Sequence, residues 1–296
     1  MKIFMTGASG WIGSAAVPEL LAGGHTIRGL ARSGRSADAL RAAGVEPVDG
    51  DLDQRDVLAG EAERADAVIH LANKHDWSDP AESNRAERAA VETFVTTLEG
   101  SDRPFLFASG TAIPVGRVLT EDDRNPTSGP DAPRGGAEAL AMDYAERGVR
   151  SVALRFAPTV HGAGGDHGFL ALLTRTARER RVAGYVGDGT NRWTAVNRLD
   201  AGRLVALAVD RAPGGSAVHA VAEVVTSRDI AEAIAAALGV PLASVPVEEV
   251  EEHFGWLGRI FAMDLPASAD LTRQRLGWAP THPSLAEDLA AGAYTS

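Results

Sequence analysis

Cysteine is absent from the 296 residues of the chain. That excludes disulfides, thiolate catalysis and cysteine-bound zinc. Lysine is almost as scarce: it occurs only at Lys2 and Lys74, so arginine supplies 27 of the 29 basic residues. Tyrosine occurs three times, at Tyr144, Tyr185 and Tyr294. No apolar run reaches the roughly 18 residues that a membrane-spanning helix needs, so no membrane partner is expected. No block of Lys and Arg is present, and 40 acidic residues against 29 basic ones leave a net charge of −11. A nucleic-acid partner is therefore not expected either. Histidines and acids are scattered, without metal-ligand spacing such as HExxH. The chain opens on the strand-like Ile3-Phe4-Met5 rather than on a charged leader and apolar segment, so a cytoplasmic protein is expected. What is present is an ordinary globular composition, 45% hydrophobic and 23% charged, sized for one large domain or two small ones.

Short apolar runs alternate with helical patterns through the first half. Strands are expected at Lys2–Met5, His25–Leu30, Val45–Val48, Ala67–Leu71, Phe105–Ala108 and Ser151–Phe156. Helices are expected near 11–23, 36–43, 53–60, 81–98 and 135–147. In the fourth helix Ala90, Val91, Phe94, Val95 and Leu98 form one apolar stripe, with Arg85, Arg88 and Glu92 off it. This rhythm means βαβ units and a parallel sheet with helices on both faces. Beyond residue 156 the rhythm changes to a glycine loop at 162–165 and helices near 169–182, 200–210 and 227–238, with a strand at Gly184–Val186. Residues 1–160 read as a nucleotide-binding domain. Residues 161–296 read as a mostly substrate-binding region, with some segments returning to the first domain.

Thr6-Gly7-Ala8-Ser9-Gly10-Trp11-Ile12-Gly13 follows the first strand and opens the first helix. Glycines there permit a tight turn and let a pyrophosphate approach the backbone, and the helix N-terminus offers free N–H groups and partial positive charge. Gly7, Ser9, Gly10, Trp11, Ile12 and Gly13 are thus expected at a dinucleotide. The fold class that follows is α/β, a Rossmann doubly wound parallel sheet with a smaller intertwined C-terminal substrate domain. An NAD site places an acid about 20 residues beyond the loop. Here Leu30-Ala31-Arg32-Ser33-Gly34-Arg35-Ser36 follows, and the first acid is Asp38. Arg32, helped by Ser33 or Arg35, suits a 2′-phosphate, so NADP is the expected cofactor and NAD remains possible. Asp51 and Leu52 are placed to meet the adenine, although Asp51 equally suits a helix cap for 53–60.

With these residues the chain resembles the short-chain dehydrogenase/reductase superfamily. It looks most like the extended and atypical branches, which include the NAD-dependent epimerase/dehydratase family. The resemblance covers nearly the whole chain. It rests on TGxxGxxG at Thr6–Gly13, His70-Leu71-Ala72-Asn73 after the fourth strand, and Ala108-Ser109-Gly110-Thr111 at the end of the fifth. Further along, Arg155-Phe156-Ala157-Pro158-Thr159-Val160-His161-Gly162 resembles the family's Arg-x-x-x-Val-Tyr-Gly stretch. Val196-Asn197-Arg198-Leu199-Asp200 resembles V-x-D-x-A, and Leu276-Gly277-Trp278-x-Pro280 the C-terminal signature.

The family's Tyr-x-x-x-Lys pair, in which lysine lowers the pKa of a proton-passing tyrosine, is missing. A tyrosine four residues before Lys74 would be residue 70, which is His70. By the surrounding pattern Arg134 takes the tyrosine's place and Glu138 the lysine's, at i,i+4 on the expected helix, where an ordinary ion pair is the plain reading. Arg134 suits an anionic or carbonyl substrate group but never deprotonates, so it cannot pass a proton. Tyr144 lies ten residues further along, about 15 Å away on a helix. Proton handling then points to His161 and His167, in the loop after the sixth strand. Thr111, where the resemblance places the catalytic Ser/Thr, could donate to a substrate oxygen. Leu71, Ala72 and Asn73, with Lys74 and His75, are expected near the nicotinamide ribose. Arg192 and Trp193 are expected to floor the cleft, unless Trp193 packs the core.

The resemblance implies an NADPH-dependent reductase of an unknown small molecule, a carbonyl or imine compound. Two other readings stand beside it: a redox-neutral epimerase, dehydratase or isomerase, and an NADP-sensing binding protein without turnover. The chain is expected as a monomer or a homodimer.

Overall fold

The structure, a computed structural model, describes residues 1–74 and 79–295. The strands are β1 (Lys2–Thr6), β2 (Thr26–Ala31), β3 (Glu46–Asp49), β4 (Ala67–His70), β5 (Pro104–Gly110) and β6 (Arg150–Phe156). Beyond them lie β7 (Thr159–His161), β8 (Ala183–Val186), β9 (Arg192–Asn197), β10 (Ser216–Ala220), β11 (Glu223–Thr226) and β12 (Leu242–Val245). In the first half the helices are α1 (Gly13–Ala22), α2 (Gly34–Ala42), α3 (Arg55–Arg64), α4 (Pro80–Leu98) and α5 (Ala137–Asp143). Then come α6 (Phe169–Arg180), α7 (Arg198–Arg211), α8 (Ser227–Leu238), α9 (Val250–Phe254), α10 (Leu257–Phe261), α11 (Asp270–Leu276) and α12 (Leu285–Ala290).

Seven strands form one parallel sheet in the order β10-β6-β5-β4-β1-β2-β3. The chain reverses direction across the sheet between β1 and β4, and ligands of such sheets bind outside the strand ends at that point. The inner strands are apolar because both faces are covered. On one face Ile3, Met5 and Leu154 pack with Leu204 and Val205 of α7. On the other, Phe4, Phe105 and Phe107 pack with Leu58 of α3 and Phe94 of α4. Helices α1 and α7 touch so closely that a Cβ on Gly202 would lie 2.5 Å from the Ala15 carbonyl carbon.

Residues beyond β6 build two small sheets, β11-β9-β7 and β12-β8, over a third core that contains Trp193, Phe254 and Phe261. The chain returns from there to the main sheet at β10, which pairs with β6. That seventh strand escaped the sequence reading because Ser216–Ala220 holds a buried histidine and two alanines rather than a branched run. A second departure concerns the helix expected at 135–147. It is regular only over Ala137–Asp143. Before it, Arg134, Gly135 and Gly136 take φ of 54°, 61° and 59°, all left-handed. After it, Tyr144–Arg147 is a tight 3₁₀ turn that buries Tyr144.

Candidate functional site

Thr6 ends β1 fully buried, and its hydroxyl accepts the Ala72 N–H at 3.3 Å, tying the glycine loop to the segment after β4. Gly7 has φ +72°, and a Cβ there would lie 2.7 Å from the Ala72 nitrogen and the Leu71 carbonyl carbon. A Cβ on Gly13 would collide with Gly7 O and lie 2.8 Å from Ala8 Cα. These two glycines serve close packing. Gly10 differs: it is exposed like Ser9, its N–H donates to Gly7 O at 2.9 Å, and its Cβ would press only on Gly7, 3.1 Å from the oxygen. Its open side is where a phosphate can approach the backbone. Ile12 caps α1 without a side-chain hydrogen bond; the Ser14 N–H turns back to Gly10 O at 2.9 Å and the Ala15 N–H to Ile12 O at 3.0 Å, so an anion would be met by the loop amides ahead of them. The cradle fits a pyrophosphate.

Arg32 and Ser33 follow β2 on the exposed rim, and no ion pair engages Arg32 among the described residues. Ser33 has a second duty, capping α2 through the Ser36 N–H at 3.2 Å. Asp51 does not cap α3, whose N-cap is Gln54 without a side-chain hydrogen bond; its carboxylate accepts the Asp53 N–H at 2.9 Å in the turn ahead of that helix, while Leu52 is buried. Leu71 and Ala72 line the glycine loop. Lys74 is held by Asp53 at 2.8 Å and Glu82 at 3.1 Å, and the Asp53 hydrogen bond raises its pKa above the usual lysine value. It therefore does not replace the missing lysine of the family pair. His75 lies outside the described residues.

The expected Arg134–Glu138 pair does not form, because the left-handed turn takes Arg134 off the helix. Its backbone N–H donates to Asn84 Oδ1 at 2.8 Å, and its guanidinium meets Glu87 at 2.7 Å. Arg88 donates to Gly135 O at 2.8 Å, so one face of α4 grips the whole turn. Both glycines are required, since a Cβ on Gly135 would lie 2.5 Å from Asn84 O and one on Gly136 2.6 Å from Gly129 N. A left-handed arginine costs about 1–2 kcal/mol and persists only when its surroundings fix it. Glu87 is 1% exposed and also accepts Asn73 Nδ2 at 2.8 Å. Burial alone would raise its pKa, but Arg134, His70 and Asn73 together hold it below the ordinary glutamate value. Glu87 thus joins the segment after β4 to Arg134, whose side chain is 40% exposed. Sequence reading missed Glu87, although an acid amid the apolar stripe of α4 was the available signal.

Glu138 points elsewhere. It is buried and takes Arg155 of β6 on one oxygen, through Nε at 3.0 Å and Nη2 at 2.6 Å. Ser109 and Asn125 donate to its other oxygen. Arg155 also donates to Asp123 O at 2.8 Å and contacts His219 Nε2 at 3.3 Å. Burial pushes the His219 imidazole below its usual pKa, so it adds no charge at neutral pH.

Thr111 is turned inward, its hydroxyl 3.0 Å from that of Thr194, so it offers nothing to a cleft. His161 is 0% exposed. Its Nδ1 lies 2.6 Å from Asp288, which also accepts Asn197 Nδ2 at 3.0 Å. Its Nε2 lies 3.7 Å from Glu223, too far for a hydrogen bond. Burial leaves His161 no face for a substrate. His167, by contrast, is exposed on the loop before α6. Its neighbour Asp166 has a pKa raised by burial and accepts the Tyr294 hydroxyl at 2.8 Å. Trp193 belongs to the core, 5.1 Å from the Phe261 ring and 5.8 Å from Phe169, and Arg192 is paired with Asp264 at 2.7 Å. Neither floors a cleft. No cluster of His, Asp and Glu suited to a metal occurs among the described residues. No helix among them is long and apolar enough to cross a membrane.

Residues 3–222 match the model of the NAD dependent epimerase/dehydratase family, and the chain belongs to that family. The Uncharacterized protein C2A9.02 of Schizosaccharomyces pombe (strain 972 / ATCC 24843) is 43% identical over 99% of this chain and 100% of its own length. A 4-hydroxy-2-methyl-3-oxo-4-farnesyl-3,4-dihydroquinoline-1-oxide ketoreductase of Stigmatella aurantiaca is 27% identical over 73% of this chain and 66% of its own. Among solved structures, a UDP-glucuronic acid 4-epimerase from Bacillus cereus in complex with NAD superposes with a TM-score of 0.77 at 18% identity. That match covers 99% of this chain and 98% of the other.

Proposed function

We propose that the protein is an NADP(H)-dependent oxidoreductase that reduces a carbonyl or imine group of a small molecule. One observation carries the cofactor choice: the rim after β2 presents Arg32 without a carboxylate partner, where an NAD site needs an acid. Family membership and the likeness to a ketoreductase support the reaction class. The nicotinamide supplies hydride when bound. The chain supplies the rest. Ser9, Gly10, Trp11 and Ile12 receive the pyrophosphate on a loop that Gly7 and Gly13 allow to pack closely. Arg32 and Ser33 take the 2′-phosphate, Asp51 and Leu52 border the adenine, and Leu71, Ala72 and Asn73 border the nicotinamide ribose. Arg134, fixed by Glu87, anchors the substrate. The proton comes from the exposed His167, since Arg134 cannot give one and His161 is buried.

A screen of carbonyl and imine compounds, followed by NADPH absorbance, tests the proposal. With a substrate in hand, His167→Ala is expected to lower kcat by about 10²–10⁴ while leaving NADPH affinity unchanged. Unchanged kcat would remove His167 from the reaction. Family membership favours a second reading, a redox-neutral epimerase or dehydratase. Substrate conversion without net NADPH consumption would mark it. Tight NADPH binding with no turnover of any kind would instead mark a sensing protein.

A further inference from the structure

Arg198 is the first residue of α7, a 14-residue helix whose N-cap, Asn197, accepts the Leu199 N–H at 3.0 Å. Its guanidinium lies over the Trp11 ring at 4.6 Å from the centroid and donates to Ser14 Oγ, in the first turn of α1, at 3.3 Å. Trp11 is itself anchored, its indole N–H donating to Val160 O at 2.7 Å. The arginine stem passes over Gly162, where a Cβ would lie 3.1 Å from Arg198 Cγ.

The electrostatics of this placement are unfavourable as they stand. Arg198 sits at the positive end of α7 and reaches the positive end of α1, where helix dipoles favour anions and oppose cations. No ion pair joins it to a carboxylate among the described residues. The acid in the first turn of α7, Asp200, is buried and spent on the Thr281 and His282 amides at 2.9 and 3.0 Å. The family segment V-x-D-x-A carries an acid where this chain has Arg198. A cation stacked, aimed and left without a counter-charge beside a phosphate cradle is completed by an anion.

We infer that Arg198 is a phosphate-binding residue of the cofactor site, a clamp that closes over the pyrophosphate cradle from α7 and uses Trp11 as its platform. The inference rests on the dinucleotide reading of the glycine loop. It assigns Arg198 to the part of the cofactor that NAD+ and NADP+ share, whereas Arg32 serves only the 2′-phosphate.

The test is a calorimetric titration of NAD+ and NADP+ into wild type, Arg198→Met, Arg198→Lys and Arg198→Asp, with thermal unfolding of each variant to confirm that it is folded. Methionine keeps the stem over Trp11 and Gly162 but removes the charge. Arg198→Met is expected to weaken both nucleotides about tenfold, by the same factor, and to flatten the salt dependence of binding. Arg198→Lys should lose less and Arg198→Asp more. Wild-type affinity of Arg198→Met for both nucleotides would overturn the inference, and so would a loss confined to NADP+. If wild type bound neither nucleotide, the dinucleotide reading itself would fall.

Discussion

Glu138→Lys is expected to unfold the protein, not to activate it. On sequence alone this substitution restores the lysine of the family's catalytic pair. In the structure it places an ammonium against Arg155, whose side chain is 2% exposed and whose charged partner is Glu138. Ser109 and Asn125, which now donate to the carboxylate, would lose their acceptor. Removing one member of a buried ion pair costs about 3–5 kcal/mol, and a second buried cation adds to that. A domain of this kind has about 5–15 kcal/mol in all. Chemical denaturation measures the effect, with Glu138→Gln as the milder variant, expected to lose at least about 3 kcal/mol. A stably folded Glu138→Lys protein would show that the Arg155–Glu138 pair is not the support described here.

Gly10→Val is expected to abolish dinucleotide binding while the fold persists. The new Cβ would meet Gly7 O at 3.1 Å, a tight contact without backbone strain because Gly10 does not have positive φ. Its branches would fill the side from which a phosphate reaches the loop amides. A loss of at least about 100-fold, or about 2.7 kcal/mol, is expected for NAD+ and NADP+ alike. Gly13→Val should behave differently, because its Cβ would strike the loop backbone within the fold. That variant should lose stability as well as binding. Normal binding by Gly10→Val would place the phosphates elsewhere.

The main sheet was legible in the sequence because its inner strands are short apolar runs separated by helices of regular period. The six strands expected in the first half all appear, displaced by at most two residues at an end. The glycine loop was legible because steric demands there leave one residue type. Side-chain pairing was not legible in the same way. Arg134 and Glu138 stand four apart and suggest a helical ion pair, yet three left-handed residues separate their partners, Glu87 and Arg155. Those partners lie 47 and 17 residues away in sequence, and only the fold brings them near. His161 looked like a loop histidine at the cleft, but β7 and α12 enclose it through Asp288. Two consecutive glycines after Arg134 were the sequence's own sign that a helix could not yet have begun.

The most direct test of the account is a calorimetric comparison of NADPH and NADH binding to the wild-type protein. NADPH is expected to bind at least about tenfold tighter, or about 1.4 kcal/mol, and Arg32→Asp to reverse the order. Equal affinities, a preference for NADH, or no binding of either nucleotide would contradict it.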